Sequence, residues 1–152
     1  MRKLMTWAFF ANLLLLAVAA RIQSDIVAVH FTSNGAPDVW ASKNVSILVL
    51  LAVEVTLFVL LRAVGRLSTR AQGPGNAASQ ACQRSARLAV LMPQFGFALF
   101  VFLFFVGSLT FAANLREAVR LDHTLLLAGT GCYLLYLAFW VVTLARGLKK
   151  SR

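Results

Sequence analysis

Four stretches of this chain run almost without charge over lengths that match a lipid bilayer, and that pattern constrains the fold more than any other feature. Residues 4–20, 44–61, 88–115 and 124–145 are rich in Leu, Ala, Val and Phe, and Glu54 is the one charged side chain among them. Crossing about 30 Å of hydrocarbon takes about 20 mostly apolar residues, with about 17 a workable minimum. Lipid offers no hydrogen-bond partner to the backbone, so an isolated span is a helix. The runs also lack the period-two alternation of strands. The expected fold is all-α: an integral membrane protein with four transmembrane helices.

Composition agrees. The chain is 60% hydrophobic and only 13% charged, where soluble domains are roughly half apolar and a quarter charged. A net charge of +10 would suit a nucleic-acid binder, but the charges lie between apolar runs and form no basic helix face, so nucleic acid is not an expected partner. Their placement reports orientation instead. Arg2, Lys3, Arg62, Arg66, Arg70, Arg84, Arg87, Arg146, Lys149, Lys150 and Arg152 fall on one side of the spans, against Arg21, Lys43, Arg116 and Arg120 on the other. The side richer in Lys and Arg is cytoplasmic, which predicts both termini inside. Trp7, Trp40 and Trp140 lie near predicted helix ends, where interfacial anchors belong. A second reading of the first run is open: Arg2-Lys3, an apolar stretch and Ala17-Val18-Ala19 also describe a signal peptide.

The breaker-rich stretch Gly73-Pro74-Gly75-Asn76-Ala77-Ala78-Ser79 splits the chain. Two helical hairpins are expected, 1–62 and 88–152, joined by a basic cytoplasmic loop at 63–87. Cys82 and Cys132 fall in different environments and read as free thiols, not a disulfide framework.

An ionisable group at mid-membrane is costly and is a functional candidate by default. Glu54 lies near the centre of the second span, Asn12 near the centre of the first, and Gln94 beside Pro93 at similar depth in the third. One expectation is a proton- or ion-handling cluster of Asn12, Glu54 and Gln94, with Pro93 freeing a backbone carbonyl. The other is a neutral Glu54 bonded to Asn12 as polar glue between helices. His30 and His123 share the external side with Asp25, Asp38, Glu117 and Asp122, but no spacing among them suggests a metal centre, and none is expected. Asp122-His123 instead suit the start of the fourth helix, where a carboxylate is favoured. No nucleophile elbow, phosphate loop or nucleotide-binding turn is present, so neither enzymatic activity nor a cofactor is expected. Gly129-Thr130-Gly131 reads as a close-packing surface.

The first external loop is the most specific segment. His30-Phe31 is followed by Asn34-Gly35, Pro37-Asp38, Trp40 and Ser42-Lys43. Asn-Gly and Pro-Asp are turn formers, Gly supplying positive φ and Pro fixing it. His30 and Asp38 are placed to hydrogen-bond across the turn, with Trp40 anchoring at the interface and Lys43 reaching toward headgroups. A His-Phe pair, a Gly-x-Pro-Asp turn, an aromatic and a Ser-Lys, in this order between two membrane helices, resemble the short bacterial domain of unknown function that opens the SdpI-type toxin-immunity membrane proteins. The likeness covers about fifteen residues closely, and the flanking hairpin extends it to 1–62. The proline usual before the His is absent from 25–29, and SdpI-type proteins continue into a longer second half. The resemblance implies a bacterial inner-membrane protein used for immunity or signalling. His30, Phe31, Gly35, Pro37, Asp38, Trp40 and Lys43 would form a recognition loop for a membrane-active peptide outside, and a soluble regulator would be held inside. Two other functions stay open: a small transporter or accessory subunit using Glu54, and a structural subunit of a membrane complex. Four spans enclose little interior, which leaves room for an oligomer.

Overall fold

The computed structural model describes residues 1–70, 80–116 and 119–149, with the side chains of 70, 80–85 and 147–149 left aside. The breaker at 73–79, Glu117, Lys150 and Arg152 therefore lie outside the described residues, as do the side chains of Cys82 and Arg84. Four helices account for the apolar runs: α1 (Arg2–Ile22), α2 (Lys43–Arg70), α3 (Gln80–Asn114) and α4 (His123–Lys149). All four are long and apolar enough to cross a membrane.

The connection between α1 and α2 carries a short antiparallel hairpin of β1 (Ile26–Phe31) and β2 (Pro37–Ser42), and the fold is otherwise helical, as expected. Strand β1 is rich in Ile and Val, which suit a pleated surface. One expectation changes. The basic loop assigned to 63–87 is largely helix, because α2 runs on to Arg70 and α3 begins at Gln80. The 62–70 stretch holds no proline and a single Gly65, too little to end a helix, and Arg62 and Arg66 stand four residues apart on one helical face.

The helices alternate in direction. Phe9 of α1 stacks on Phe58 of α2 with ring centroids 4.1 Å apart, and Thr6 meets Arg62. Trp140 of α4 meets Phe95 of α3, and Tyr133 stacks on Phe102 at 4.3 Å. The 2–6, 62–66 and 140–149 segments thus share one end, and the hairpin lies at the other. Packing does not respect a division into hairpins, however. The main partner of α1 is α3, which it meets in parallel, and α3 also packs on α2 and α4.

Without water to expel, membrane helices associate through close packing and buried hydrogen bonds, and the α1–α2–α3 junction has both. Met5, Phe9 and Phe100 form its buried core. Gly96 lets α3 approach so closely that an added Cβ would sit 2.5 Å from the Met5 sulfur and 3.1 Å from Leu61. Since α1 supplies Met5 and Phe9, cleavage behind Ala19 would strip the junction of both. The Gly129-Thr130-Gly131 surface is used by half: Gly129 lies against the Phe105 ring, whereas Gly131 faces open space. Helix α3 continues through Pro93.

Candidate functional site

The hairpin turn is built by its own side chains. Asn34 accepts the Ala36 N–H at 3.0 Å through Oδ1, and Thr32 N–H donates to the Ala36 carbonyl at 2.8 Å, closing a short loop as Asx turns do. Gly35 adopts φ +80°, the left-handed region its lack of a Cβ permits. Two irregularities, at Val29 and at Asp38, interrupt the β1–β2 ladder and cancel, so that Phe31 meets Pro37 in the register set by Ala28 and Trp40. Such bulges re-aim side chains. Across this stretch Nδ1 of His30 lies 2.6 Å from Oδ1 of Asp38, the expected cross-turn pair; for the carboxylate to accept, the imidazole carries a proton on Nδ1.

The turn is not free-standing. Leu121 N–H donates to the Gly35 carbonyl at 2.9 Å, and Arg120 brings both Nε and Nη2 to 3.3 Å from the Asn34 carbonyl. A Cβ on Gly35 would collide with the Leu121 carbonyl oxygen. At the other end of the strand, Asn114 closes α3 and treats Ala28 as a β-strand neighbour would. Its Oδ1 accepts the Ala28 N–H at 2.7 Å, and its Nδ2 donates to the Ala28 carbonyl at 3.1 Å. The edge of β1 is thereby paired at its most deeply buried residue, with Ala28 only 1% exposed. Exposed strand edges invite pairing with other chains; here a side-chain amide occupies that position.

Lys43 departs from expectation. Instead of reaching toward headgroups, its Nζ donates to the Gln23 carbonyl at 3.0 Å and lies 3.3 Å from Asp25 Oδ1, tying the hairpin's base together. The inward turn follows from its backbone, whose N–H already extends the ladder to the Asp25 carbonyl. What the hairpin leaves exposed is a mixed surface: His30 and Asp38 beside Val29, Val39 and Trp40. Phe31 and Pro37 are half-buried at its tip.

The intramembrane candidates do not form one cluster. Asn12 is 1% exposed and donates through Nδ2 to the Phe100 carbonyl of α3 and to Ala8 within α1, both at 2.9 Å; no hydrogen bond joins it to Glu54 among the described residues. The glue is therefore an Asn12–backbone link between α1 and α3. A buried amide needs an acceptor, and a carbonyl on the closest-packed partner meets that need. Glu54 is 7% exposed, and its Oε2 has no hydrogen-bond partner among the described residues. Gln94 lies elsewhere, in a groove of about 630 Å³ between α3 and α4, with Phe97, Cys132 and Tyr136. Trp140 spends its indole N–H on the Leu91 carbonyl at 3.3 Å and so is bonded within the bundle, not only at an interface. Asp122 caps α4, with Oδ1 accepting the Leu125 N–H at 3.1 Å. Among the described residues no three His, Cys, Asp or Glu side chains gather as a metal site.

Asn114 and the Arg120-Leu121 pair were not readable as partners of the loop, because each bonds to backbone. Asn114 did carry a faint signal, a lone amide closing a long apolar run. No family model, no curated protein and no solved structure matches this chain.

Proposed function

We propose that this chain is a bacterial inner-membrane protein without enzymatic activity, used for immunity or signalling. Both termini lie in the cytoplasm, the hairpin outside recognises a membrane-active peptide, and the basic end holds a soluble regulator. The observation that carries this reading is the bracing of the hairpin by Asn114, Leu121 and Arg120, with His30, Asp38, Val39 and Trp40 left exposed. Binding residues on loops work best when a rigid scaffold positions them. An exposed face combining an imidazole, a carboxylate and apolar side chains, at the end of the spans, suits an amphipathic peptide lying at the membrane surface. The resemblance of residues 29–43 to the SdpI-type loop supplies the immunity class, and the unequal Lys and Arg distribution supplies the orientation.

Because His30 and Asp38 are solvent-exposed, replacing both with Ala is expected to leave the bundle folded while abolishing protection of cells against the cognate peptide. Crosslinking in native membranes should then capture a secreted peptide with the wild type and not with the variant. Full protection by His30→Ala/Asp38→Ala would remove the recognition role.

Glu54, whose Oε2 has no hydrogen-bond partner among the described residues, favours a second reading, a small transporter or accessory subunit in which this carboxyl carries a proton. Glu54→Gln keeps the shape and removes the titration. On this reading the variant loses pH-dependent flux in liposomes; flux equal to the wild type, with only altered thermal stability, would leave Glu54 a packing residue.

A further inference from the structure

At the end of the bundle opposite the hairpin, a cleft of about 390 Å³ opens between the first turns of α1 and the last third of α2. Arg2, Lys3, Arg62 and Arg66 line it. The sequence has no Asp or Glu in 1–24, 55–116 or 123–152, so no acidic side chain of this end can neutralise the four cations. Arg62 is held in place: its Nη2 donates to Thr6 Oγ1 at 2.8 Å, and its guanidinium carbon lies 5.0 Å from the centre of the Phe58 ring. That contact commits one of its five N–H donors.

We infer that this cleft binds the headgroup phosphate of an anionic phospholipid. Charge names the anion, and a guanidinium fork favours phosphate. The rest of the lining names a lipid over a free ion: Trp7 and Phe10, 72% and 53% exposed, line the same cleft and offer an apolar wall to the glycerol and acyl carbons. Depth agrees as well, since Arg62 is the first basic residue after the 44–61 apolar run, where hydrocarbon gives way to headgroups. Gly65 lines the cleft, and a Cβ there would meet nothing within 4 Å, so a larger side chain at this position would project into free space. This site is separate from the hairpin and stands whatever the hairpin recognises.

The test is native mass spectrometry of the full chain in detergent, with phosphatidylglycerol, phosphatidylcholine or inorganic phosphate added. Wild type should retain phosphatidylglycerol over phosphatidylcholine. Arg62→Gln/Arg66→Gln should weaken that retention about 25-fold, at roughly fivefold per basic residue near a membrane surface. Gly65→Leu keeps every charge and narrows the cleft, and should weaken the preference. Arg87→Gln/Arg146→Gln, which removes two charges outside the cleft, should retain it. Equal retention of the two lipids, wild-type retention by Gly65→Leu, or equal loss in the Arg87→Gln/Arg146→Gln control would overturn the site. Displacement of the lipid by inorganic phosphate at matched concentration would overturn the lipid assignment.

Discussion

Replacing Asn114 with Leu is expected to cost about 2–6 kcal/mol and to release the hairpin from α3 while the four helices stay packed. The substitution is close in size but leaves the N–H and the carbonyl of Ala28 without partners, and each unsatisfied buried backbone group costs about 1–3 kcal/mol. Ala28 is too deeply covered for water to replace both bonds. Amide exchange measured across 26–42 should accelerate, and thermal unfolding in detergent should move down. Asn114→Asp gives an intermediate loss, because a carboxylate still accepts the Ala28 N–H at 2.7 Å but cannot donate to its carbonyl. Unchanged protection of the Ala28 amide in Asn114→Leu would show that the clamp contributes nothing.

Gly35→Ala is expected to be comparably damaging, for a different reason. A left-handed conformation costs a residue with a Cβ about 1–2 kcal/mol, and at φ +80° the new methyl also meets the Leu121 carbonyl oxygen. Relieving that collision separates the hairpin turn from the Arg120-Leu121 segment and breaks the Leu121–Gly35 bond, for a total of about 3 kcal/mol. Gly131→Ala, whose Cβ meets nothing within 4 Å, should change thermal stability in detergent little and serves as the comparison. Equal unfolding temperatures for the two variants would refute the collision.

The four helices were readable because hydrophobicity over about 20 residues is a property of one segment alone. The Gly35 turn and the His30–Asp38 pair were readable for the same reason: their partners lie within a few residues. The strands on either side are harder to read, although Ile26-Val27-Ala28-Val29 and an Asn-Gly turn signal a hairpin, because a short apolar run between two long apolar spans does not stand out from them. The continuation of α2 through Arg66 was hidden by charge, which marks the end of a membrane span but not of a helix. Least legible were the contacts made to backbone. Asn12 found the Phe100 carbonyl instead of Glu54, and Asn114 found Ala28. A carbonyl is the same at every residue, so only the fold could say which one is near.

At 35 residues, α3 is a rod about 52 Å long, some 20 Å longer than the hydrocarbon it would cross. It is gripped at Asn114 by the hairpin and runs to Gln80 at the opposite end. Tilting such a rod by about 5° about its Asn114 end would carry its far tip about 4.5 Å sideways, a displacement comparable to a side chain's width.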